Sequence, residues 1–297
     1  MNLALNQQVI LDSYFSYLKV AEGVYRILVD RKYCNTELII GNEYAAVIDC
    51  GLGFGDLPAA VRALTDKPLI LFNTHSHIDH IGGNAQFGIP VHMGSEDIEA
   101  AKHAEYSSFR EHLMENRIHS LGPDSVVGMD THEFLHRGPG EMVPCEDGEV
   151  FDLGGRTLKV FAIPGHSRGG RAFYLEEEKI LYTGDAVFAC TLCFGPGSSG
   201  RKAYIEGLKR LQHLPFTDIL SGHYIEPFNH AFIDKAIHTA ELADFETGIP
   251  LPNPIDSNAR VCFPKDTPPT PEIIERIRQG DHGLDNKVWA VVLSSPE

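Results

Sequence analysis

Four residues in one six-residue run, His75-Ser76-His77-Ile78-Asp79-His80, set the chemistry open to this chain. Three imidazoles and a carboxylate packed into a core would each need a buried partner of their own, which one turn of chain cannot supply. As metal ligands they make sense. Imidazole nitrogen and carboxylate oxygen suit a borderline divalent ion such as zinc, and catalytic sites of this kind keep one position for water. A solvated histidine-rich loop is the plain alternative, since short motifs of this sort also occur by chance.

The elements that must hold these residues can be read around them. Pro68–Phe72 is a short apolar run with the look of a buried strand, and the chain leaves it at Asn73-Thr74. His75 and His77, two residues apart at an extended strand end, project to the same side. Asp79 and His80 follow on the turn, where Ile81-Gly82-Gly83-Asn84 opens a short helix. Three further ligand-type residues repeat one arrangement, an apolar strand-like run ending at a polar residue beside glycine. Phe161–Gly165 ends at His166, Ile180–Gly184 at Asp185, and Asp218–Gly222 at His223. Strand ends place side chains rigidly at one edge of a sheet, where α/β folds build their sites. Together these residues make seven donors, enough for two zinc ions and a bridging water.

The set His75, His77, Asp79, His80, His166, Asp185 and His223, in this order, resembles the metallo-β-lactamase-fold hydrolase superfamily, from about Gly23 to about Tyr224. The resemblance implies an α/β (α+β) fold, a four-layer αββα sandwich with the metals at one edge of its two sheets. It puts His75, His77 and His166 on a first metal and Asp79, His80 and His223 on a second, with Asp185 bridging both. Two zinc ions are the implied cofactors, iron or manganese being the alternatives. Within the superfamily, an aspartate at 185 is unlike the drug-hydrolysing members, and His77 is unlike the di-iron oxidoreductases, which carry an acidic residue there. The basic glutathione-binding pattern of glyoxalase II is not recognisable after Tyr224, which counts against a glutathione thioester. Phe188 stands where acyl-homoserine lactonases carry a tyrosine, which weakens a lactonase reading.

Mechanism then follows from charge. Two Zn²⁺ bring four positive charges, Asp79 and Asp185 remove two, and a bridging hydroxide removes one. A metal pair about 3.5–4 Å apart can hold the nucleophile and polarise the scissile carbonyl or phosphoryl oxygen, so no serine or cysteine nucleophile is needed. Asp79 is the candidate catalytic group, orienting the water and carrying a proton to the leaving group. Candidate substrate contacts are Arg168, with Arg171 beside it, together with Phe188 and Cys193 of the Cys190-x-x-Cys193 stretch, read as a loop following Asp185. The expected reaction is hydrolysis of a small ester, lactone or thioester. A small-molecule phosphodiesterase is the alternative, and a non-catalytic metabolite sensor of the same fold is the alternative of another class.

Composition narrows the partners. The 297 residues, 43% hydrophobic, suffice for one large domain. With 41 acidic against 25 basic residues the formal charge is −16, which repels polyanions and disfavours nucleic acid as a partner. No apolar stretch reaches a membrane-spanning length and the run Met1–Asn6 has no basic region, so a cytoplasmic, soluble enzyme of a small-molecule substrate is expected. The scattered Cys34, Cys50, Cys145 and Cys262 read as small buried hydrophobes.

Two halves are predicted. The first has strands around Val24–Val29, Glu37–Ile40, Tyr44–Ile48 and Val91–Met93, and a helix over Asp56–Leu64. The second has strand pairs Glu149–Leu153 with Thr157–Ile163, turning at Gly154-Gly155-Arg156, and Ala172–Leu175 with Lys179–Tyr182. Helices near Lys202–His213 and His230–Asp244 should cover the second sheet. Between the halves, residues 95–142 read as a helical insertion, capped by Ser95, with Phe109, Leu113 and Met114 as its face to bury and His103, His112, His119, His132 and His136 solvated. It would wall the pocket or form a homodimer contact. Residues 245–297 read as an extension closing on a single 1–297 domain: loops at 250–254 and 264–271, a helix over Glu272–Arg278, and a strand Val288–Leu293 with Trp289 in the core.

Overall fold

The computed structural model describes residues 8–29, 34–103, 106–127, 129–251, 256–279 and 288–295. The expectations for Met1–Asn6 and for Pro252–Pro254 lie outside these residues. Among the described residues the strands form three sheets. The first runs β1 (Val9–Ile10), β2 (Phe15–Ala21), β3 (Val24–Val29), β4 (Cys34–Ile40), β5 (Ala45–Ile48), β6 (Leu69–Phe72), β7 (Val91–Met93) and β8 (Met142–Pro144), in that spatial order. β2 to β5 pair antiparallel, and β5 to β8 pair parallel. β5 is apolar at every position because a parallel strand is covered on both faces.

The second sheet is built from β9 (Val150–Asp152), β10 (Thr157–Ala162), β11 (Arg171–Leu175), β12 (Ile180–Gly184), β14 (Asp218–Ser221) and β15 (Phe228–Asn229). β9 and β10 turn at Gly154 and Gly155, both at positive φ (81° and 78°), the combination a tight primed hairpin requires. The two sheets face each other across Val24, Ile39, Ile48 and Phe72 on one side and Val160, Phe173, Tyr182 and Leu220 on the other. Outside the first sheet lies α1 (Leu57–Arg62), its start fixed by Asp56 accepting from the Ala59 amide at 3.0 Å. Outside the second lie α6 (Gly200–Leu211) and α7 (Ala231–Leu242), burying Leu208, Leu211, Ile233 and Ala240. The layers are therefore αββα, as expected.

Two parts of the reading change. Cys190–Cys193 is a strand, β13, rather than a loop; it joins β16 (Ile249–Pro250), β17 (Arg260–Cys262) and β18 (Ala290–Leu293) in a third sheet, on which α8 (Pro271–Arg278) packs. Between β7 and β8 come α3 (Ser95–His103), α4 (Tyr106–Leu121) and α5 (Thr131–His136); earlier, the short α2 (Ile78–Ile81), with His77 at its N-cap, itself carries Asp79 and His80, which therefore lie on a helix and not on the turn before one. Ser95 is the first residue of α3, and its hydroxyl turns to Glu96 at 3.4 Å instead of capping the helix. On α4 the buried residues are Arg110 and Arg117, while Phe109 is 40% exposed; Leu113 and Met114 are partly buried against Leu52, Phe54 and Phe134. Arg110 Nη2 donates to Gly82 O at 2.9 Å and Arg137 Nη1 donates to Gly53 O at 2.7 Å, so these helices are pinned by arginine to the loops beneath the histidine run. No helix of the described residues is long and apolar enough to cross a membrane.

Candidate metal centre

Every one of the seven candidate ligands sits where a strand ends: the histidine run after β6, His166 after β10, Asp185 after β12 and His223 after β14. Their donor atoms collect in two groups, His75, His77 and His166 in one, Asp79, His80, Asp185 and His223 in the other, each within 4.8 Å. In the first group His77 Nδ1 stands 3.0 Å from His75 Nε2 and 2.9 Å from His166 Nε2. Three nitrogens bound at 2.0–2.1 Å to a tetrahedral ion would be roughly 3.3 Å apart, so the cluster is close to that spacing. In the second, His80 Nε2 is 3.3 Å from Asp185 Oδ1 and 3.5 Å from Asp79 Oδ2, and His223 Nε2 is 3.1 Å from Asp185 Oδ2 and 3.2 Å from Asp79 Oδ2. Asp185 Oδ2 also lies 3.7 Å from His166 Nε2, which joins the groups.

A layer of acceptors fixes the rings. His166 Nδ1 donates to Leu192 O at 2.7 Å, leaving Nε2 for the site. His80 Nδ1 donates to Asp49 Oδ2 at 2.8 Å, which likewise frees its Nε2. Asp49 also accepts from the Thr74 amide at 2.7 Å and the Thr74 hydroxyl at 2.8 Å, and that hydroxyl oxygen is 3.0 Å from His75 Nδ1. Asp97 of α3 accepts from the Ser76 amide at 3.1 Å and the Gly169 amide at 2.6 Å, tying the first histidine loop to the one that carries His166. Asp49 and Asp97 are both 2% exposed, and neither stands among the sequence candidates. For Asp49 a signal existed: it follows the apolar strand Ala45–Ile48 one residue before Cys50-Gly51, close to the arrangement that singled out His166, Asp185 and His223.

The groups differ in charge. Burial, reinforced by the neighbouring histidines, holds His75 well below its ordinary range and pushes His166 down to about 4, so both rings are neutral with a lone pair to give. In the second group burial pulls the rings down as well, but the carboxylates win: Asp185 with Asp49 and Asp79 holds His80 up, and Asp185 with Asp79 holds His223 up. The same contacts keep Asp79 and Asp185 below the usual carboxylate range in spite of burial. His80 Nε2 and Asp185 Oδ1 are buried and neither completes a hydrogen bond, which is what atoms aimed at an ion look like without it. Gly222 has no room for a side chain, since a Cβ there would come within 2.5 Å of Asp185 Oδ1 and 2.8 Å of His80 Cε1. Three nitrogens on one side and two nitrogens with two carboxylates on the other fit two borderline divalent ions. Protein isolated without chelator should therefore carry close to two transition-metal ions per chain by elemental analysis; a reproducible value near one would defeat the dinuclear assignment.

The other candidates divide. Phe188 is half-buried with its ring centroid 5.8 Å from that of His223, and Arg168 is exposed on the loop after His166. Cys193 is 2% exposed in the core of the second half, its thiol pushed up by burial, so a substrate-facing role is closed to it; burial likewise pushes Cys190 up to about 12. Arg171 is also taken up, donating to Cys145 O at 2.7 Å and pairing with Glu96 at 2.8 Å and Glu146 at 3.3 Å. Outside the clusters, His103 lies by Glu99, His112 bonds Asn116, and His132 and His136 face each other.

Comparison with known proteins agrees with the geometry. Residues 29–223 match the model of the metallo-beta-lactamase superfamily. The chain is 28% identical over 236 residues to acyl-coenzyme A thioesterase MBLAC2 of Bos taurus, covering 71% of this chain and 81% of that one. It is 31% identical over 185 residues to a hydroxyacylglutathione hydrolase of Crocosphaera subtropica, covering 59% and 56%. Among solved structures, TTHA1623 in a di-iron-bound form superposes with a TM-score of 0.52 at 26% identity, covering 70% of this chain and 95% of that one.

Proposed function

The chain belongs to the metallo-β-lactamase superfamily, and on that premise we propose that it is a dinuclear, zinc-dependent hydrolase of a small carboxylic ester or thioester. The observation that carries the reading is the pair of adjoining donor groups, with Asp185 of the one 3.7 Å from His166 of the other. Support for a thioester comes from the relatives, since acyl-coenzyme A thioesterase and hydroxyacylglutathione hydrolase both cleave that bond. Two divalent ions would supply a Lewis acid for the carbonyl oxygen and acidify a water toward neutral pH. His75, His77 and His166 would hold one ion, and Asp79, His80 and His223 the other, with Asp185 between.

The remaining work falls to the chain itself. Asp79 is 18% exposed in its side chain against 9% for Asp185, so it is the carboxylate that a reacting water can meet. It takes the proton of that water and returns it to the departing thiolate or alkoxide, water and thioester giving acid and thiol. Phe188, beside His223, offers an apolar face to the acyl group. A charge of −16 keeps long polyanions away.

The test is a screen of metal-replete enzyme over acyl-CoA and acylglutathione thioesters, esters, lactones and bis-p-nitrophenyl phosphate. Esters, lactones or thioesters should show the higher kcat/KM, and Asp79→Asn should lower kcat for each by at least about tenfold, the low end of a proton-transfer contribution. Faster phosphodiester cleavage would replace the preferred substrate class by a phosphodiesterase. Activity that survives Asp79→Asn undiminished would place the chemistry elsewhere.

A further inference from the structure

Arg26 lies on β3, directly opposite Glu37 of β4, with no exposed surface at all. All five of its N–H groups are used. Nε donates to Glu37 Oε1 at 2.7 Å, and Nη2 donates to the same oxygen and to Ser221 O at 3.0 Å. Nη1 donates to Tyr224 O and to Ile225 O, the latter at 3.1 Å. Asn35 of β4 completes the contact, its amide donating to Gly222 O at 2.8 Å and its side chain to Ser221 O at 3.3 Å and Tyr224 O at 3.0 Å. The carbonyls on both sides of His223, at 221, 222, 224 and 225, are therefore gripped by two residues of the opposite sheet.

Stability does not explain such a pair. Replacing a buried ion pair by apolar residues of similar volume is often neutral or stabilising, because desolvation offsets the attraction. Four chosen carbonyls of one turn, by contrast, define a backbone conformation, and the side chain that this backbone aims is His223. We propose that Arg26, with Asn35, is a positioning residue for the second metal: it holds the turn that presents His223 and so sets the affinity for the ion shared with Asp79, His80 and Asp185, and not for the ion at His75, His77 and His166. The inference rests on the dinuclear reading given above.

Arg26→Lys keeps the charge beside Glu37 but has three donors on one atom and cannot span both sides of the turn. The double variant Arg26→Met with Glu37→Met removes the pair together and leaves no orphaned charge if the lysine variant fails to fold. Arg156→Met is the control, an arginine that pairs with Glu178 at 2.7 Å and bonds Glu22 O and Ile40 O away from the ligands. Each protein is stripped, titrated with Zn²⁺ alone against a competing chromophoric chelator, and its thermal unfolding recorded. The wild type should bind two ions. The Arg26 variants should keep the first at wild-type affinity and bind the second at least about tenfold more weakly, within the range seen when groups behind a metal ligand are lost; Arg156→Met should lose stability and neither ion. Folded Arg26 variants that bind both ions as the wild type does would overturn the positioning role and leave the dinuclear reading standing. A wild type that binds one ion would overturn both, and the wild-type titration by itself identifies that case.

Discussion

Asp185→Ala is expected to release metal and to lower turnover by about a thousandfold or more. Asp185 Oδ2 is 3.1 Å from His223 Nε2 and 3.7 Å from His166 Nε2, and Oδ1 is 3.3 Å from His80 Nε2, so one carboxylate reaches both donor groups. A dinuclear centre contributes several kcal/mol to the stabilisation of developing charge, and each 1.4 kcal/mol is about tenfold in rate. His77→Ala should behave in the same way, because His77 Nδ1 is the point on which the other two nitrogens of its group converge. His112→Ala and His119→Ala, on α4, should leave metal and turnover unchanged. Elemental analysis and kcat on the four proteins decide the matter: if the helix variants lose metal as readily as Asp185→Ala, the division of the histidines is wrong.

Asp49→Asn is expected to weaken the second ion by about 10–100-fold while the protein stays folded. The substitution is nearly isosteric, and asparagine tolerates the left-handed backbone that Asp49 adopts, with φ +62°. What changes is proton bookkeeping. Asp49 accepts from the Thr74 amide and hydroxyl and from His80 Nδ1, and only a carboxylate can accept from all three without offering a hydrogen in return. If the amide of asparagine faces His80, Nδ1 must accept, the ring proton moves to Nε2, and the lone pair aimed at the site is gone. Competition with a chelator measures the loss. Wild-type affinity in a folded Asp49→Asn protein would show that the His80 tautomer is not set from Asp49.

The ligand-type residues were legible because they announce themselves locally, four by their crowding into the run His75–His80 and three, His166, Asp185 and His223, by a polar letter at the end of an apolar run beside a glycine. The hairpin at Gly154-Gly155 was legible for the same reason. Leu192 was not: His166 is steered by its backbone carbonyl, and a carbonyl leaves no mark on residue type. Arg26 and Asn35 were hidden by distance along the chain, since the turn they grip lies almost two hundred residues away. Arg171 misled because an arginine after His166 reads the same whether it is free or already claimed by Glu96 and Glu146. The third sheet escaped because β13 finds its partner in β18 near the other end of the chain, and nothing in Cys190–Cys193 points there. Phe109 failed as a core residue because α4 turns Arg110 and Arg117 inward, Arg117 over the rings of Tyr14 and Phe54 at 4.5 and 5.2 Å.

The donors come from both sides of the sandwich: His75, His77, Asp79 and His80 follow a strand of the first sheet, and His166, Asp185 and His223 follow strands of the second. Ions seated across that seam would act as a removable cross-link, closing a long loop of chain whose entropy the unfolded state would otherwise recover. Occupancy would then govern how long the two sheets stay together as well as what they catalyse. The lifetime of the fold, through the rate at which the seam opens, becomes a property of the metal supply.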